Sequence, residues 1–170
     1  AKNFSNEKNI KLINTIYEKN EDYYNIFKEI STQIDNRLHI DYIIISGCHN
    51  DLVLSTLEYF KNYKDTKVIL GKLNQQKKII NTNYCFPNKK ELSNYDNYEI
   101  ININEDEYIN NIIDTYINDS YIIEYTSAIS CSVLHKIKDK IIGKNVVCII
   151  NDNNNNIDSI INILEKYKKL

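Results

Sequence analysis

The chain has 170 residues, enough for one domain with a buried core, and 42% of them are hydrophobic while 26% are charged. A formal net charge of -2 without a basic stripe argues against nucleic-acid binding. No apolar run approaches the roughly 18 residues of a membrane span, and no signal peptide is evident. We therefore expect a globular protein that binds neither nucleic acid nor a membrane.

The chain begins at Ala1 and contains no methionine. From this we expect residues 1–170 to form a single domain that is cut from a longer chain. Asn, Ile, Lys and Tyr are abundant, and these are the residues of AT-rich codons, so motifs are blurred by the replacement of Gly, Pro and Ala. Four cysteines are widely spaced. This spacing favours reduced thiols in the cytoplasm or an organelle over a disulfide framework.

Short β-rich runs alternate along the chain with helical patterns of apolar residues. Tyr42–Ser46 is the first such run, and its apolar character is typical of a buried parallel strand. The predicted strands are 42–46, 67–70, 98–103 and 146–150, with 121–124 as a strand or short extended segment. The predicted helices are 22–35, 51–63, 104–118, 127–140 and 157–164, and residues 72–97 are expected to be an irregular excursion.

Strands that alternate with helices predict an α/β fold. We expect a mostly parallel twisted sheet that is covered by helices on both faces, a three-layer sandwich. In such sheets ligands bind at the carboxyl ends of the strands, where helix N-termini attract anions. Three strand ends are therefore candidate sites, and they lie at residues 46–51, 124–128 and 151–156.

Five segments in a fixed order carry a resemblance to a known family. They are Asp41-Tyr-Ile-Ile-Ile-Ser-Gly-Cys-His-Asn-Asp-Leu52, Thr66-Lys-Val-Ile-Leu70, Glu124-Tyr-Thr-Ser-Ala128, Gly143-Lys-Asn-Val-Val147 and Asn154-Asn-Asn-Ile-Asp158. In this order they resemble the threonine dehydratase and serine racemase group of fold-type II pyridoxal phosphate (PLP) enzymes. The part that they match is the C-terminal half of the catalytic domain, and the match covers roughly residues 15–168.

The resemblance implies PLP as the cofactor and assigns residues to it. Gly47, Cys48, His49 and Asn50 match the tetraglycine loop that closes on the cofactor phosphate in that group. Only the first of these is a glycine here. Asn151 matches the serine that contacts the pyridine nitrogen in the dehydratases, and an amide side chain can donate to or accept from a ring nitrogen.

No lysine of this chain matches the lysine that carries the cofactor, because in that group it lies in the other half of the catalytic domain. The resemblance therefore implies no catalytic residue here. It implies part of a threonine/serine dehydratase-like ammonia-lyase that is incomplete alone. The expected partners are the missing N-terminal half and an amino-acid substrate, and a homo-oligomer is compatible with this assignment.

Simpler interpretations compete at each candidate position. Residues 47–51 also suit a plain strand-to-helix turn with Asp51 as the helix N-cap. Glu124, which matches a glutamate near the cofactor, also suits a helix cap or a surface charge, and Asn151–Asn156 suits a loop that reflects codon bias. The whole protein could be a degenerate, non-catalytic homologue with a structural or interaction role, or an unrelated doubly wound domain that binds an anion or nucleotide.

Cysteine and histidine pairs raise the question of a metal or a nucleophile. Cys131 and His135 are four residues apart on a predicted helix, and Cys48 and His49 are adjacent. The other spacings are too loose for a zinc site, and adjacent side chains rarely face each other as a catalytic dyad. We interpret these cysteines as small buried hydrophobic residues and assign no metal ligand.

Overall fold

The structure, a computed structural model, describes residues 21–34, 39–74 and 86–150 together with Ile161 and Glu165. In chain order the elements are α1 (Glu21–Gln33), β1 (Tyr42–Ser46), α2 (Asn50–Phe60), β2 (Lys67–Leu73), α3 (Lys89–Leu92), β3 (Tyr98–Ile103), α4 (Glu105–Asp119), α5 (Tyr125–Lys136), a 3₁₀ helix (Lys138–Ile141) and β4 (Val146–Cys148).

The four strands form one sheet in the order β3-β2-β1-β4, and every neighbouring pair is parallel. In the middle of the sheet, Ile44 of β1 lies opposite Ile69 of β2 on one side and Cys148 of β4 on the other. Parallel pairing follows from the helices between the strands, which return the chain to the same edge each time. The predicted α/β fold with a parallel sheet is confirmed.

Alternate residues of each strand face two separate helical layers. Ile43 and Ile45 pack with Phe27 of α1 and Leu57 of α2 on one face of the sheet. Ile44 packs on the other face, with residues of α4 and α5. Since both faces are covered by helices, both sets of strand residues are buried, which explains the continuous apolar runs in the sequence. The predicted three-layer sandwich is confirmed.

Helix α4 begins where the sequence predicts it. The side chain of Asn104 accepts a hydrogen bond from the Glu107 N–H, at 2.9 Å, and the Glu107 carboxylate accepts one from the Asn104 N–H, at 2.7 Å. This reciprocal capping box satisfies two backbone donors that a helix start leaves open. The helix ends at Asp119, and the next residue, Ser120, has a left-handed φ of 54° that stops further helical bonding.

Several predicted boundaries are shifted in the structure. Strand β2 continues to Leu73, beyond the predicted end at residue 70, because β3 pairs with residues 68–73 of it. Strand β4 ends at Cys148 rather than at residue 150, although the Ile149 N–H still donates to the Ile44 carbonyl at 2.9 Å. Residues 121–124, expected to be a strand or a short extended segment, belong to no strand and no helix in the structure.

Two helical regions also differ from the prediction. Helix α5 begins at Tyr125 and ends at Lys136, after which the chain tightens into the 3₁₀ helix, whereas a single helix over 127–140 was expected. The predicted irregular excursion 72–97 contains α3, which has its own capping box between Asn88 and Glu91. Most of the predicted final helix, 157–164, lies outside the described residues. Among the residues that are described, no helix is long and apolar enough to cross a membrane.

Candidate functional site at the carboxyl edge of the sheet

Strands β1 and β2 end side by side, and the turn after β1 is tied to β2. The Gly47 N–H donates to the Gly71 carbonyl at 2.8 Å, which extends the ladder by one residue. Because β4 runs parallel to β1, its carboxyl end lies at the same edge of the sheet. Asn151, predicted to meet residues 47–51 here, lies outside the described residues, so that meeting stays a prediction.

An aromatic ring lies directly against Gly47. A Cβ atom at this position would be 2.3 Å from two ring carbons of Phe86 and 2.9 Å from the Gly71 carbonyl oxygen. Such distances are far inside van der Waals contact, so a residue with a side chain does not fit between Phe86 and the end of β2. Close packing against Phe86 is thus enough to explain why residue 47 is a glycine. A bound phosphate is not needed to explain it.

Cys48, the next residue of the loop, is hydrogen-bonded to Ser46 at the end of β1. The Ser46 hydroxyl donates to the Cys48 sulfur at 2.9 Å, and the same hydroxyl oxygen accepts from the Cys48 N–H at 3.3 Å. Ser46 and Cys48 are both buried. Since Gly47 and Cys48 both use their N–H groups inside the fold, neither amide is directed at a ligand in this conformation.

The Cys48 thiol is protonated at neutral pH. Burial raises the pKa of Cys48 to about 12, the hydrogen bond from Ser46 opposes this rise, and the negative charge of Glu124 adds to it. A thiol that is not ionised is a poor nucleophile and a poor metal ligand. This agrees with the interpretation of Cys48 as a buried hydrophobic residue and argues against a nucleophilic pair with His49.

Helix α2 begins immediately after the loop and presents its N-terminus at this edge. His49 is the N-cap residue, is exposed, and makes no side-chain capping bond. The suggestion that Asp51 caps the helix is wrong, because Asp51 lies within the first turn and is exposed. A helix start without a side-chain cap leaves backbone donors and a partial positive charge that suit an anion.

Asn50, the first residue of α2, connects the loop to α3. Its Nδ2 donates to the Glu91 carboxylate at 3.3 Å, and its Oδ1 is buried with no hydrogen-bond partner among the described residues. An unpaired buried amide oxygen costs free energy unless a donor reaches it. Asn50 therefore offers an acceptor at this edge, whereas a phosphate would require donors.

The start of α5 adds a carboxylate to the same edge. Glu124 is the N-cap residue of α5, but its side chain does not cap the helix; it accepts a hydrogen bond from the Thr126 hydroxyl at 2.8 Å. Its charge acts on the Cys48 thiol, which links the two loops electrostatically. The predicted cap interpretation is thus right for the position of Glu124, which is the N-cap residue. It is wrong for the side chain, which makes no hydrogen bond to the helix backbone.

The described residues fit the phosphate of PLP only in part. The N-terminus of α2 with the exposed His49 suits an anion. The amides of Gly47 and Cys48 do not fit this role, because the Gly71 carbonyl and the Ser46 hydroxyl already hold them. A cup formed by successive backbone N–H groups is therefore not built by this loop as it is folded.

Sequence reasoning missed the residues that shape the loop. Ser46 was placed at the end of a strand and at the start of the candidate site 46–51, with no bond to the loop expected, and Phe86 was placed in an irregular segment. Lys72 was also missed; its Nζ lies 5.0 Å from the centre of the Phe86 ring, a cation–π contact that adds a positive charge near the loop. No local pattern indicates a contact between Phe86 and Gly47, because the two are far apart in sequence. In the part of the chain that the structure describes, no group of three or more His, Cys, Asp or Glu side chains is arranged to hold a metal ion.

Comparisons of the sequence point to one group of enzymes. No protein-family model matches the chain. Biosynthetic L-threonine dehydratase IlvA from Staphylococcus aureus strain N315 is 27% identical over 158 residues, which are 79% of this chain and 37% of that protein. The same protein from the bovine strain RF122 is 37% identical over 73 residues, 43% of this chain and 17% of that protein. The chain thus spans well under half the length of the curated relatives it matches.

Solved structures share the fold over nearly all of the chain. The processed form of threonine deaminase isoform 2 from Solanum lycopersicum has a TM-score of 0.70 and 17% identity, covering 97% of this chain and 55% of that one. Serine racemase from Dictyostelium discoideum has a TM-score of 0.66 and 18% identity, covering 91% and 57%. L-Serine ammonia-lyase from Rhizomucor miehei has a TM-score of 0.64 and 16% identity, covering 85% and 55%. These likenesses show the fold, and the predicted resemblance is confirmed.

Proposed function

We propose, from the confirmed resemblance to the threonine dehydratase group of fold-type II PLP enzymes, that this chain is the C-terminal half of a dehydratase-like catalytic domain. The single observation that supports it most is the combined match of sequence and fold. In each of these solved relatives the match covers only about half of the relative's own chain. The partner this requires is the N-terminal half of the same domain. Residues 1–170 would form one structural unit within it.

The reaction implied for the complete protein is the loss of water and then ammonia from a hydroxy-amino acid. PLP, when bound, supplies an electron sink for the bond that breaks at the α-carbon of the amino acid. In this chain, His49 and the N-terminus of α2 would hold the phosphate, with Gly47, Cys48 and Asn50 forming the loop around it. Asn151 would contact the pyridine nitrogen, and Glu124 would face the cofactor from the start of α5.

A second candidate function is a non-catalytic homologue that keeps the sheet for a structural or interaction role. The specific observation in its favour is the closed loop, since two of the N–H groups that should meet the phosphate are bonded inside the fold. Either protein would operate in a reducing compartment, cytoplasmic or organellar. In line with this, Cys48, Cys131 and Cys148 are free thiols.

The deciding experiment compares the full-length protein with residues 1–170 in PLP titrations followed by visible absorbance. For an enzyme, we expect the full-length protein to develop the absorbance band of lysine-bound cofactor, and borohydride reduction followed by peptide mapping to place the label on a lysine upstream of Ala1. Residues 1–170 alone should develop no band. A band from the short chain would contradict the proposal, and no band from either protein would favour the non-catalytic homologue.

A further inference from the structure

The two outer strands of the sheet differ in how their free edges are protected. β3 and β4 lie at the two ends of the strand order, and within the described residues no further strand pairs with either of them. A free edge presents a row of unpaired backbone N–H and C=O groups. Stable proteins cover such an edge or place charged side chains, lysine above all, along it. An edge that lacks this protection is suited to a neighbouring strand.

The β3 edge carries the charged side chains of a permanent edge. The Glu99 carboxylate on β3 lies 2.6 Å from the Lys140 ammonium and 2.9 Å from that of Lys67. Farther along the strand, the backbone carbonyl of Asn102 accepts a hydrogen bond from the Lys136 ammonium at 3.0 Å. Because three lysines lie along β3 and one of them bonds its backbone, this strand needs no further neighbour.

β4 has the sequence of an interior strand. Residues 146–150 read Val-Val-Cys-Ile-Ile, five apolar residues without a charge. Val146 and Cys148 pack against one helical layer, and Val147 and Ile149 pack against the other. A continuous apolar run is typical of a strand that is buried on both faces and has a neighbour on each side. Every residue of β4 is nevertheless only half-buried, because the strand lies at the end of the sheet.

The backbone groups on the outer side of β4 are open to a partner. The Asn145 carbonyl and the Ile149 N–H are bonded to β1, at 3.2 Å and 2.9 Å. Alternate residues of a strand bond the same neighbour, so the N–H and C=O groups of Val146 and Cys148 point away from β1. In the part of the chain that the structure describes, no backbone group bonds them.

Exposed isoleucines flank this edge in sequence. Ile142, four residues before β4, is 77% exposed, and Ile150, two residues after it, is 50% exposed. Ile150 also lines a cleft of about 450 Å³ together with Tyr121. The nearest charged residue before β4, Lys144, is paired with Asp41 at 3.3 Å. Large exposed apolar side chains around an apolar strand are typical of an interaction surface.

We propose that the outer edge of β4 pairs with a strand from the N-terminal half of the same catalytic domain, which continues the sheet beyond β4. This inference rests on the proposed function, which makes that half the partner of this chain. The incoming strand bonds the outward groups of Val146 and Cys148, and its apolar side chains extend both core layers. The share of the solved relatives outside the match supports this source, since the chain covers only 55% and 57% of two of them.

Hydrogen–deuterium exchange of the full-length protein, resolved to single amides, tests the pairing. The reference is the Ile100 amide in the middle of β3, which points away from β2 by the same alternation. We expect the amides of Val146 and Cys148 to exchange about 100-fold or more slowly than that of Ile100. Equally fast exchange at all three amides would overturn the proposal.

The exchange measurement needs no cofactor, so it separates this inference from the proposed function. Protected amides on β4 in a protein that binds no PLP would support the pairing and refute the enzyme. A band of lysine-bound cofactor together with unprotected amides on β4 would refute the pairing alone.

A photo-cross-linking side chain identifies what covers the edge. With p-benzoylphenylalanine substituted for Ile142 in the full-length protein, we expect a cross-link within one molecule to a peptide upstream of Ala1. A cross-link to residues 151–170, or to a second copy of the chain, would overturn the proposal.

Two proline variants form a matched pair. Val146→Pro and Ile100→Pro each remove an outward N–H from an end strand of the sheet and leave the N–H groups that face the neighbouring strand. Proline is tolerated where that N–H faces solvent and is costly where a strand pairs with it. Val146→Pro should therefore lower the melting temperature of the full-length protein by at least about 3 °C more than Ile100→Pro does. Equal shifts would contradict the pairing, and the exchange of the unsubstituted protein decides the matter if a variant fails to fold.

Discussion

The ring of Phe86 occupies the space that a side chain on residue 47 would need, with two ring carbons 2.3 Å from the position of a Cβ atom at Gly47. Phe86 is itself covered by the ammonium group of Lys72, 5.0 Å from the ring centre. The segment that follows residue 85 is thereby packed onto the loop at the end of β1. This contact determines the shape of the loop that the family resemblance assigns to a phosphate.

Gly47→Ala should therefore destabilise the protein. The new methyl group would meet both the Phe86 ring and the Gly71 carbonyl oxygen, so we expect a loss of about 1–3 kcal/mol in the free energy of unfolding, typical of an overpacked site. Urea denaturation of the variant measures this loss. Combining it with Phe86→Ala completes a double-mutant cycle. In that cycle the two substitutions should cost less together than the sum of their separate costs, and simple additivity would contradict the contact.

Two serines of α5 provide a matched pair. The Ser132 hydroxyl donates to the Ala128 carbonyl at 2.7 Å and accepts from the Asn111 amide at 2.9 Å, whereas the Ser130 hydroxyl is buried and has no hydrogen-bond partner among the described residues. Ser132→Ala should cost about 1–3 kcal/mol, because it leaves the Asn111 amide without this acceptor. Ser130→Ala should be neutral or stabilising by up to about 1 kcal/mol. Thermal unfolding of the two variants measures both changes in stability. A larger loss for Ser130→Ala than for Ser132→Ala would contradict the prediction.

Glu99 should make stability depend on acid pH. Hydrogen bonds from Lys140 and Lys67 lower the pKa of Glu99 below its ordinary value of 4.5. Because the folded-state pKa is the lower one, the stabilisation is present above pH 4.5 and is lost as the pH falls through the folded-state value. The carboxylate is partly exposed, so the effect should stay below about 1 kcal/mol.

Glu99→Gln provides the measurement for this pH effect. The difference in unfolding free energy between the parent protein and the variant should be largest near neutral pH and should shrink on acidification below pH 4.5. Lys140→Met is the matched control, since removing one donor should reduce the same pH dependence. A difference that grows toward acid pH would show that the Glu99 pKa is not lowered.

The sheet was predictable because its determinants are local. Residues 42–45 at the start of β1 are apolar without interruption, as is typical of a strand that is buried on both faces. The pair Asn104 and Glu107 indicates a helix start within four residues of sequence. The state of the loop was not predictable, because it depends on contacts between distant segments. Nothing near Gly47 in sequence indicates that Phe86 covers it. That Ser46 would bond the Cys48 amide depends on a side-chain rotamer that periodicity does not encode.

The last prediction concerns the hydrogen bond from the Cys48 N–H to the Ser46 hydroxyl in the loop after β1. Ser46→Ala removes the hydroxyl that accepts from the Cys48 N–H, so that amide becomes available to an anion at the start of α2. A charge-assisted hydrogen bond contributes about 1.5–3 kcal/mol. If the loop is a phosphate site, the variant of the full-length protein should bind PLP about tenfold or more tightly. Isothermal titration with PLP measures this affinity, and inorganic phosphate serves as the probe of the phosphate contact alone.

Ser130→Ala is the matched control for this titration, since it also deletes a buried hydroxyl but lies within α5 and leaves the Cys48 amide bonded to Ser46. Its affinity should equal that of the parent protein. A higher affinity of Ser46→Ala alone, for both PLP and phosphate, would mean that the fold still provides a phosphate site. In the parent protein the Ser46 hydroxyl would then weaken binding at that site by occupying the Cys48 amide. An unchanged affinity for both ligands would contradict the assignment of residues 47–50 to a phosphate. In that case the loop is a strand-to-helix connection whose amides are satisfied within the protein, as in the non-catalytic alternative.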